Sequence, residues 1–150
     1  MKLENIFLLL ITSLFLSLSV KAENPNNWIT YLDDENLLIE YQYQICEYER
    51  FDEEKILLKI TNKIDKDIFL SWKEELWYDQ DCINCNLENE NELFKSITLK
   101  ANQFKEGTCE RNNPLTIFSK FSERLIDMPG VGKIVELTKF ELKKIKISYE

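Results

Sequence analysis

The chain contains no histidine at any of its 150 positions. Histidine is the side chain that changes charge near neutral pH, and Ser-His-Asp and Cys-His hydrolases use it as their base. Its absence also excludes HExxH metalloproteases and three-histidine zinc sites. Catalytic chemistry in this chain would therefore have to depend on carboxylates and thiols.

Glycine is scarce, and the chain has only Gly107, Gly130 and Gly132. The segment Gly130-Val131-Gly132-Lys133 lacks the spacing of a phosphate-binding loop and the Ser or Thr that follows its lysine. We expect the three glycines in turns. The sequence predicts no cofactor and no metal site.

Basic residues are outnumbered, because 19 Lys and Arg face 27 Asp and Glu, a formal net charge of −8. Nucleic acids and anionic membrane surfaces both require clustered Lys and Arg. The lysines between Lys139 and Lys146 are interleaved with Glu136 and Glu141, which is typical of a solvated strand face. We therefore expect no nucleic-acid partner, and we expect any charged partner to be basic.

The first 22 residues have the layout of a secretory signal peptide. Lys2 precedes an apolar run from Ile6 to Leu18, and Val20 and Ala22 stand where signal peptidase accepts small or aliphatic residues. The run is shorter than the ~20 residues that cross a bilayer as a helix. We expect cleavage near Ala22 and export to the periplasm or the exterior, with no membrane span in the mature chain.

Alternation of apolar and polar residues dominates the rest of the chain. Leu37, Ile39, Tyr41, Tyr43 and Ile45 lie on one face of a half-buried strand. Further strands are predicted at 55–61, 68–73, 96–101, 115–121 and 138–149, with a short one at 134–137. The turn-forming stretch 62–67 predicts that the strands on either side of it form a hairpin.

Six to eight short strands, punctuated by Asn112-Asn113-Pro114 and Pro129-Gly130, favour an all-β, antiparallel β-sandwich. Residues 87–94 have helical spacing, and one short helix is expected there. The expected organisation is a signal peptide at 1–22, an N-terminal tail at 23–35 and a single β-sandwich domain at 36–150.

The run from Glu54 to Asn62, together with Ile68 to Trp72, resembles the strand, Asn-containing turn and strand of small exported bacterial immunoglobulin-like modules. The resemblance covers one hairpin. It implies an immunoglobulin-like sandwich, and it assigns no site residues because such modules often have no known activity. The Cys-Trp-Cys pattern of the immunoglobulin fold is met in part, by Cys46 and Trp72.

Four cysteines in an exported chain, Cys46, Cys82, Cys85 and Cys109, predict two structural disulfides. Three pairings are open. In the preferred arrangement Cys46 bonds to one member of the close pair and Cys109 to the other. The rival arrangement joins Cys82 to Cys85 and Cys46 to Cys109, and a four-cysteine zinc site is a further alternative.

The segment Cys82-Ile83-Asn84-Cys85 also has the spacing of a thioredoxin-type redox pair. It supports a thiol–disulfide oxidoreductase as the enzymatic alternative, with Cys82 as the nucleophile and Cys85 as the resolving thiol. A helix that began near Leu87 would favour the thiolate. The surrounding acidic residues would instead raise the pKa of both thiols.

The acidic stretch from Asp79 to Glu90 does not match an EF-hand, because Ile83 and Asn84 stand where an oxygen ligand and a glycine are needed. An irregular calcium loop is a weaker alternative to a solvated loop. Acidic and aromatic residues in and just before this stretch form the predicted interaction surface: Glu74, Glu75, Trp77, Tyr78, Asp79 and Asp81.

The sequence therefore predicts an exported, disulfide-stabilised binding or interaction module without catalytic activity. An acidic inhibitor of a basic secreted enzyme and a carbohydrate-binding module are alternatives to it, and the oxidoreductase is the alternative from another class. The partner is expected to be a protein or a glycan.

Overall fold

A computed structural model describes residues 28–87 and 94–149. Within these ranges the chain forms strands β1 (Ile29–Asp33), β2 (Leu37–Cys46), β3 (Glu53–Asn62), β4 (Ile68–Tyr78), β5 (Asp81–Cys82), β6 (Phe94–Leu99), β7 (Phe104–Glu106), β8 (Thr116–Phe121) and β9 (Leu137–Tyr149). A 3-10 helix, Glu123–Asp127, follows β8. The predicted all-β class is confirmed.

The strands form two antiparallel sheets that pack as a sandwich. The first sheet runs β1-β2-β3, and both β7 and β8 pair with the remaining edge of β3. The second sheet has β4 at its centre, with β9 along one edge and both β5 and β6 along the other. An antiparallel β-sandwich was predicted, and its strand pairing is set by contacts far apart in sequence.

The core lies between the inner faces of the two sheets. Its buried apolar side chains are Leu37, Ile39, Ile56, Leu58, Ile60, Ile68, Leu70, Trp72, Ile97, Leu99, Leu115, Ile117, Leu137 and Leu142. Trp72 is buried, as its register with Ile68 and Leu70 predicts. The apolar residues of β2 continue to alternate beyond the core. The last two on this face are exposed, Tyr43 at 53% and Ile45 at 48%. The inner face of the first sheet is therefore open at the Cys46 end of β2.

The connection between β3 and β4 crosses from one sheet to the other. The predicted hairpin of 55–61 with 68–73 is therefore wrong, because these segments pair with other strands. Asn62 is fully buried and its amide donates hydrogen bonds to the carbonyl oxygens of Lys66 (2.8 Å) and Lys100 (3.0 Å). These bonds hold a corner that a period-two pattern alone cannot distinguish from a hairpin turn.

Strands β7 and β8 lie end to end along β3. The Gly107 amide donates to the Leu58 carbonyl (2.8 Å), and the Leu58 amide donates to the Leu115 carbonyl (2.9 Å). A Cβ atom on Gly107 would lie 2.2 Å from the Leu115 carbonyl oxygen, so only glycine fits. The intervening residues 108–114 leave the edge and return to it.

Three sequence expectations concern segment boundaries. Strand β1 lies inside the range 23–35 that was assigned to an N-terminal tail, so the sheet begins earlier than expected. Most of the helix expected at 87–94 lies outside the described residues, and Phe94 begins β6. No strand forms at 134–136, before β9.

Among the described residues, no helix combines the length and apolar character needed to cross a membrane.

Candidate functional site

The four cysteines form two disulfides, Cys46–Cys109 and Cys82–Cys85. The preferred pairing across the two positions is therefore wrong, and the rival arrangement is found. Since all four sulfurs are bonded, none is a thiolate that could hold zinc. The Cys46–Cys109 bond ties residues 108–114 to the end of β2. The Tyr48 hydroxyl also holds this segment, because it donates to the Cys109 carbonyl (2.5 Å).

The Cys82–Cys85 turn completes the edge of the second sheet. Between the parts of β4 that pair with β6 and β5, the Asn84 side chain takes the place of a strand. Its amide donates to the Glu74 carbonyl (2.9 Å), and its oxygen accepts from the Leu76 amide (2.8 Å). Asn84 is 6% exposed. The disulfide closes the short turn that presents this side chain, which gives the CxxC segment a structural task.

Two of the predicted interaction residues point from β4 into the sandwich. Glu74 is 7% exposed and accepts a long hydrogen bond from Trp72 Nε1 (3.4 Å). Burial raises the pKa of Glu74 to about 7, although Lys95 and the Trp72 bond oppose the shift. The Tyr78 hydroxyl donates to the Phe118 carbonyl (2.7 Å), and burial, with the charge of Glu74, raises the pKa of Tyr78 to about 12.

Three of the other predicted residues lie apart from those two. Glu75 accepts a hydrogen bond from the buried Lys73 ammonium (3.3 Å) on the outer face of β4. The Trp77 ring, on the same face, lies 4.3 Å from the Lys139 ammonium. Asp81 is exposed in β5. The structure thus spreads the six predicted residues over two faces and a turn, and does not gather them into one surface.

Asp79 has a definite task in the turn between β4 and β5. It adopts a left-handed conformation (φ 49°), as does Gln80 (φ 77°). The Asp79 carboxylate binds the Lys133 ammonium (2.6 Å), and this bond lowers the pKa of Asp79. The Asp79 amide also donates to the Glu136 carbonyl (3.0 Å). We call residues 122–136 the cleft loop, and Asp79 is its anchor on the second sheet.

The cleft loop encloses an apolar cleft of about 300 Å³ beside β8. One part of its wall is the loop itself. The other part consists of aromatic residues, one just before β3 and two in β8. The lining residues are Phe51, Phe118, Phe121, Leu125, Val131, Lys133, Ile134 and Val135. We call this the aromatic cleft, and it is the candidate functional site.

Aromatic contacts fix the floor of the aromatic cleft. The Phe121 ring lies edge-on to both Phe51 (5.1 Å between centroids) and Phe118 (4.9 Å). The Phe118 ring also stacks on Tyr78 (6.3 Å). Such contacts hold rings in place more firmly than area burial alone. The floor is therefore preformed, and Tyr78 links it to the second sheet.

Apolar side chains are exposed in the cleft loop. Ile126 is 54% exposed, Met128 46% and Val135 48%. A smaller cavity of about 180 Å³ shares Phe51 and Leu125 with the aromatic cleft as lining residues. Sequence reasoning missed this site because residues 122–133 have no strand or helix periodicity. The available signal was a run of large apolar residues around Pro129-Gly130, where a solvated turn would carry polar ones.

Comparison of the chain with protein-family models, with curated proteins and with solved structures found no match. No relative therefore lends a site residue or an activity to this chain. In the part of the chain that the structure describes, no three Cys, Asp or Glu side chains are placed to hold a metal ion. The aromatic cleft remains the feature from which function can be argued.

Proposed function

We propose that the protein is an exported binding module, and that its aromatic cleft takes an apolar side chain of a partner protein. One observation carries the proposal: a preformed apolar cleft lies under a loop that itself exposes Ile126, Met128 and Val135. Contiguous exposed apolar surface is unfavourable in water, and it marks binding sites when it surrounds a concave surface.

The size of the cleft supports a side chain as the ligand. Pockets for small molecules and cofactors span roughly 300–1,000 Å³, and this cleft lies at the lower end of that range. One aromatic or aliphatic side chain, with its neighbours resting on the exposed loop residues, fits that volume. Partner recognition of this kind places one anchor in a pocket and surrounds it with weaker contacts.

The chemistry of the lining supports binding rather than catalysis. Lys133 is the charged side chain among the lining residues, and its ammonium is bound by Asp79. Glu74 has a pKa near neutrality, but it lies in the core and does not line the cleft. The groups with the properties of an acid or base are therefore away from the place where a ligand fits.

Export is part of the proposal. It is supported by the charge and apolar run of residues 1–22, and by two disulfides, which persist in oxidising compartments. Sequencing of the N-terminus of the protein recovered from its native host tests it. Mature protein that begins at Glu23 supports export, and a full-length chain in the cytoplasm contradicts it.

Binding at the aromatic cleft is tested with Val135→Lys, which puts a charge at its rim. Ile29→Lys is the matched control, because Ile29 is also β-branched and 48% exposed, on β1. A random peptide library displayed on phage is panned against the disulfide-intact protein. We expect enriched peptides to share a large apolar residue, and Val135→Lys to weaken their binding at least tenfold while Ile29→Lys does not. No enrichment, or equal loss in both variants, contradicts the proposal.

A further inference from the structure

The open end of the first sheet presents a second surface next to the aromatic cleft. Direct cross-strand pairing places Ile45, Glu54 and Lys120 in one row across β2, β3 and β8. Tyr43 lies two residues before Ile45 and on the same face, which is the face that forms the core further along the sheet. Glu136, whose carboxylate accepts from Lys120 (3.2 Å), completes what we call the end face.

Tyr43 and Ile45 give the end face its apolar surface, at 53% and 48% exposure. The charges beside them are mainly negative. Burial raises the pKa of Tyr43, and the nearby Tyr41, Glu54 and Glu136 raise it further. Lys120 is the cation here, and it is engaged by Glu136. The end face therefore combines an accessible aromatic ring with an excess of carboxylate.

An aromatic ring flanked by carboxylates is complementary to a cation. The ring face attracts a Lys or Arg head group electrostatically, and carboxylates strengthen the attraction. The net charge of −8 on the chain also attracts a basic partner at long range, before contact is made. A second copy of the chain, equally acidic, is disfavoured by the same charge.

The cleft loop connects the aromatic cleft to the end face. Val135 lines the cleft, and the next residue, Glu136, belongs to the end face and binds Lys120 of β8 (3.2 Å). Lys120 and Phe121 are adjacent in β8, so their side chains point to opposite sides of this edge strand, Lys120 to the end face and Phe121 to the cleft. A segment that contacts Val135 at the rim of the cleft therefore has neighbouring residues close to Glu136.

We propose that the partner is a basic protein segment that sets an apolar residue in the aromatic cleft and a Lys or Arg side chain on Tyr43, between Glu54 and Glu136. This inference rests on the proposed function, because it takes the cleft as the site of the anchor. It adds the charge of the partner and the residues that select it.

Short synthetic peptides with a central Trp or Leu test the inference. Their flanking positions carry Lys, Gln or Glu, and affinity is measured by fluorescence anisotropy. Since a cation–π contact and an exposed ion pair each contribute a severalfold effect, we expect Lys-flanked peptides to bind about tenfold more tightly than Gln-flanked ones. Glu-flanked peptides are expected to bind more weakly than either.

Charge-neutral variants assign the preference to the end face. Glu54→Gln with Glu136→Gln keeps the oxygens that accept from Ser119 and Lys120. We expect this double variant to lose most of the preference for Lys flanks and to keep its affinity for Gln-flanked peptides. Glu106→Gln, an exposed change on β7, is the control and is expected to keep the preference.

The outcomes separate this inference from the proposed function. Equal affinity for Lys-flanked and Gln-flanked peptides, both lost in Val135→Lys, overturns the basic partner and leaves the cleft as a binding site. A preference that the Glu106 control also loses overturns the end face as its source. A fatty acid and a second copy of the chain are the other occupants that an apolar cleft could take, and decanoate serves as the fatty-acid probe. If no peptide binds, if decanoate alone occupies the cleft, or if the protein self-associates through it, the inference is overturned together with the proposed function.

Discussion

Glu74 is a carboxylic acid that the fold has placed in the hydrophobic core. It follows Trp72 by two residues on the same face of β4, and it is 7% exposed. Desolvation disfavours the charged form, and Lys95, on the neighbouring strand β6, compensates only in part. The chain has no histidine, so Glu74 is the side chain expected to dominate the pH dependence of stability near neutral pH.

Replacement of Glu74 by Gln is expected to stabilise the protein above pH 7. The pKa of Glu74 rises from 4.5 to about 7 on folding, so the folded state holds its proton more tightly than the unfolded state. The stabilisation that accompanies protonation is present below pH 4.5 and is lost as the pH rises through 7. At 1.36 kcal/mol per pKa unit, the charged form costs about 3 kcal/mol.

Urea unfolding at several pH values measures this effect. Wild-type stability should decline between pH 4.5 and 7, whereas Glu74→Gln should be flat over that interval and gain its advantage at the upper end. Glu106→Gln, an exposed carboxyl on β7, is expected to follow the wild type. Parallel curves for Glu74→Gln and the wild type would show that Glu74 is not buried in a low-dielectric site.

Sequence alternation already contains the position of Glu74. Adjacent residues of a strand face opposite sides, and this rule argues against the predicted interaction surface that joined Glu74 with Glu75; Trp72 was expected in the core. What alternation lacks is a reason to place a carboxyl group in that core. Its tolerance depends on the Trp72 hydrogen bond and on Lys95, which a strand 21 residues further along the chain supplies.

The CxxC turn illustrates how a short element supports a longer one. Strand β4 has eleven residues, but β6 covers only its first part and β5 its last part. Asn84 supplies the missing donor and acceptor between them. Unpaired backbone groups at a sheet edge cost free energy when they are buried. When they are exposed, they can pair with a strand of another chain. The amide of Asn84 therefore protects the edge of the second sheet.

Asn84→Ala is expected to lower the free energy of unfolding by about 2–3 kcal/mol, because it leaves the Glu74 carbonyl and the Leu76 amide unpaired. Asn86→Ala, an exposed change in the same turn, is the control and should have little effect. Urea unfolding measures both, with the disulfides verified by mass spectrometry. A loss below about 0.5 kcal/mol would mean that solvent replaces Asn84 easily.

Local patterns predicted most of the strands and failed where tertiary contacts decide. The strands at 37–46, 68–78 and 137–149 follow period two over many residues. Strand β7 is three residues long and exists only because β3 offers an edge. The aromatic cleft joins residues from 51, 118–121 and 125–135, so no single stretch of sequence announces it.

The two ends of the sandwich are stabilised in different ways. Buried apolar side chains fill the space between the sheets at one end, whereas a disulfide and loop contacts hold the end near Cys46. Cys46 directly follows Ile45 of the end face, and Cys109 brings residues 108–114 onto the outer side of the same sheet. The cleft loop is fixed to the second sheet by Asp79. The Cys46–Cys109 bond thus supports the end face, the part of the proposed binding surface to which Ile45 belongs.

Removal of that bond by Cys46→Ala with Cys109→Ala is expected to lower the free energy of unfolding by about 4 kcal/mol. The bond joins residues 63 apart in sequence, and the cost follows from the entropy that such a loop restricts in the unfolded chain. Alanine is chosen rather than serine because serine would place a hydroxyl group at the buried Cys46 site. Urea unfolding of the variant and of the oxidised wild type measures the difference. A loss below about 1 kcal/mol would show that the first sheet holds residues 108–114 without the covalent bond, and that Tyr48 and Gly107 suffice to keep them in place.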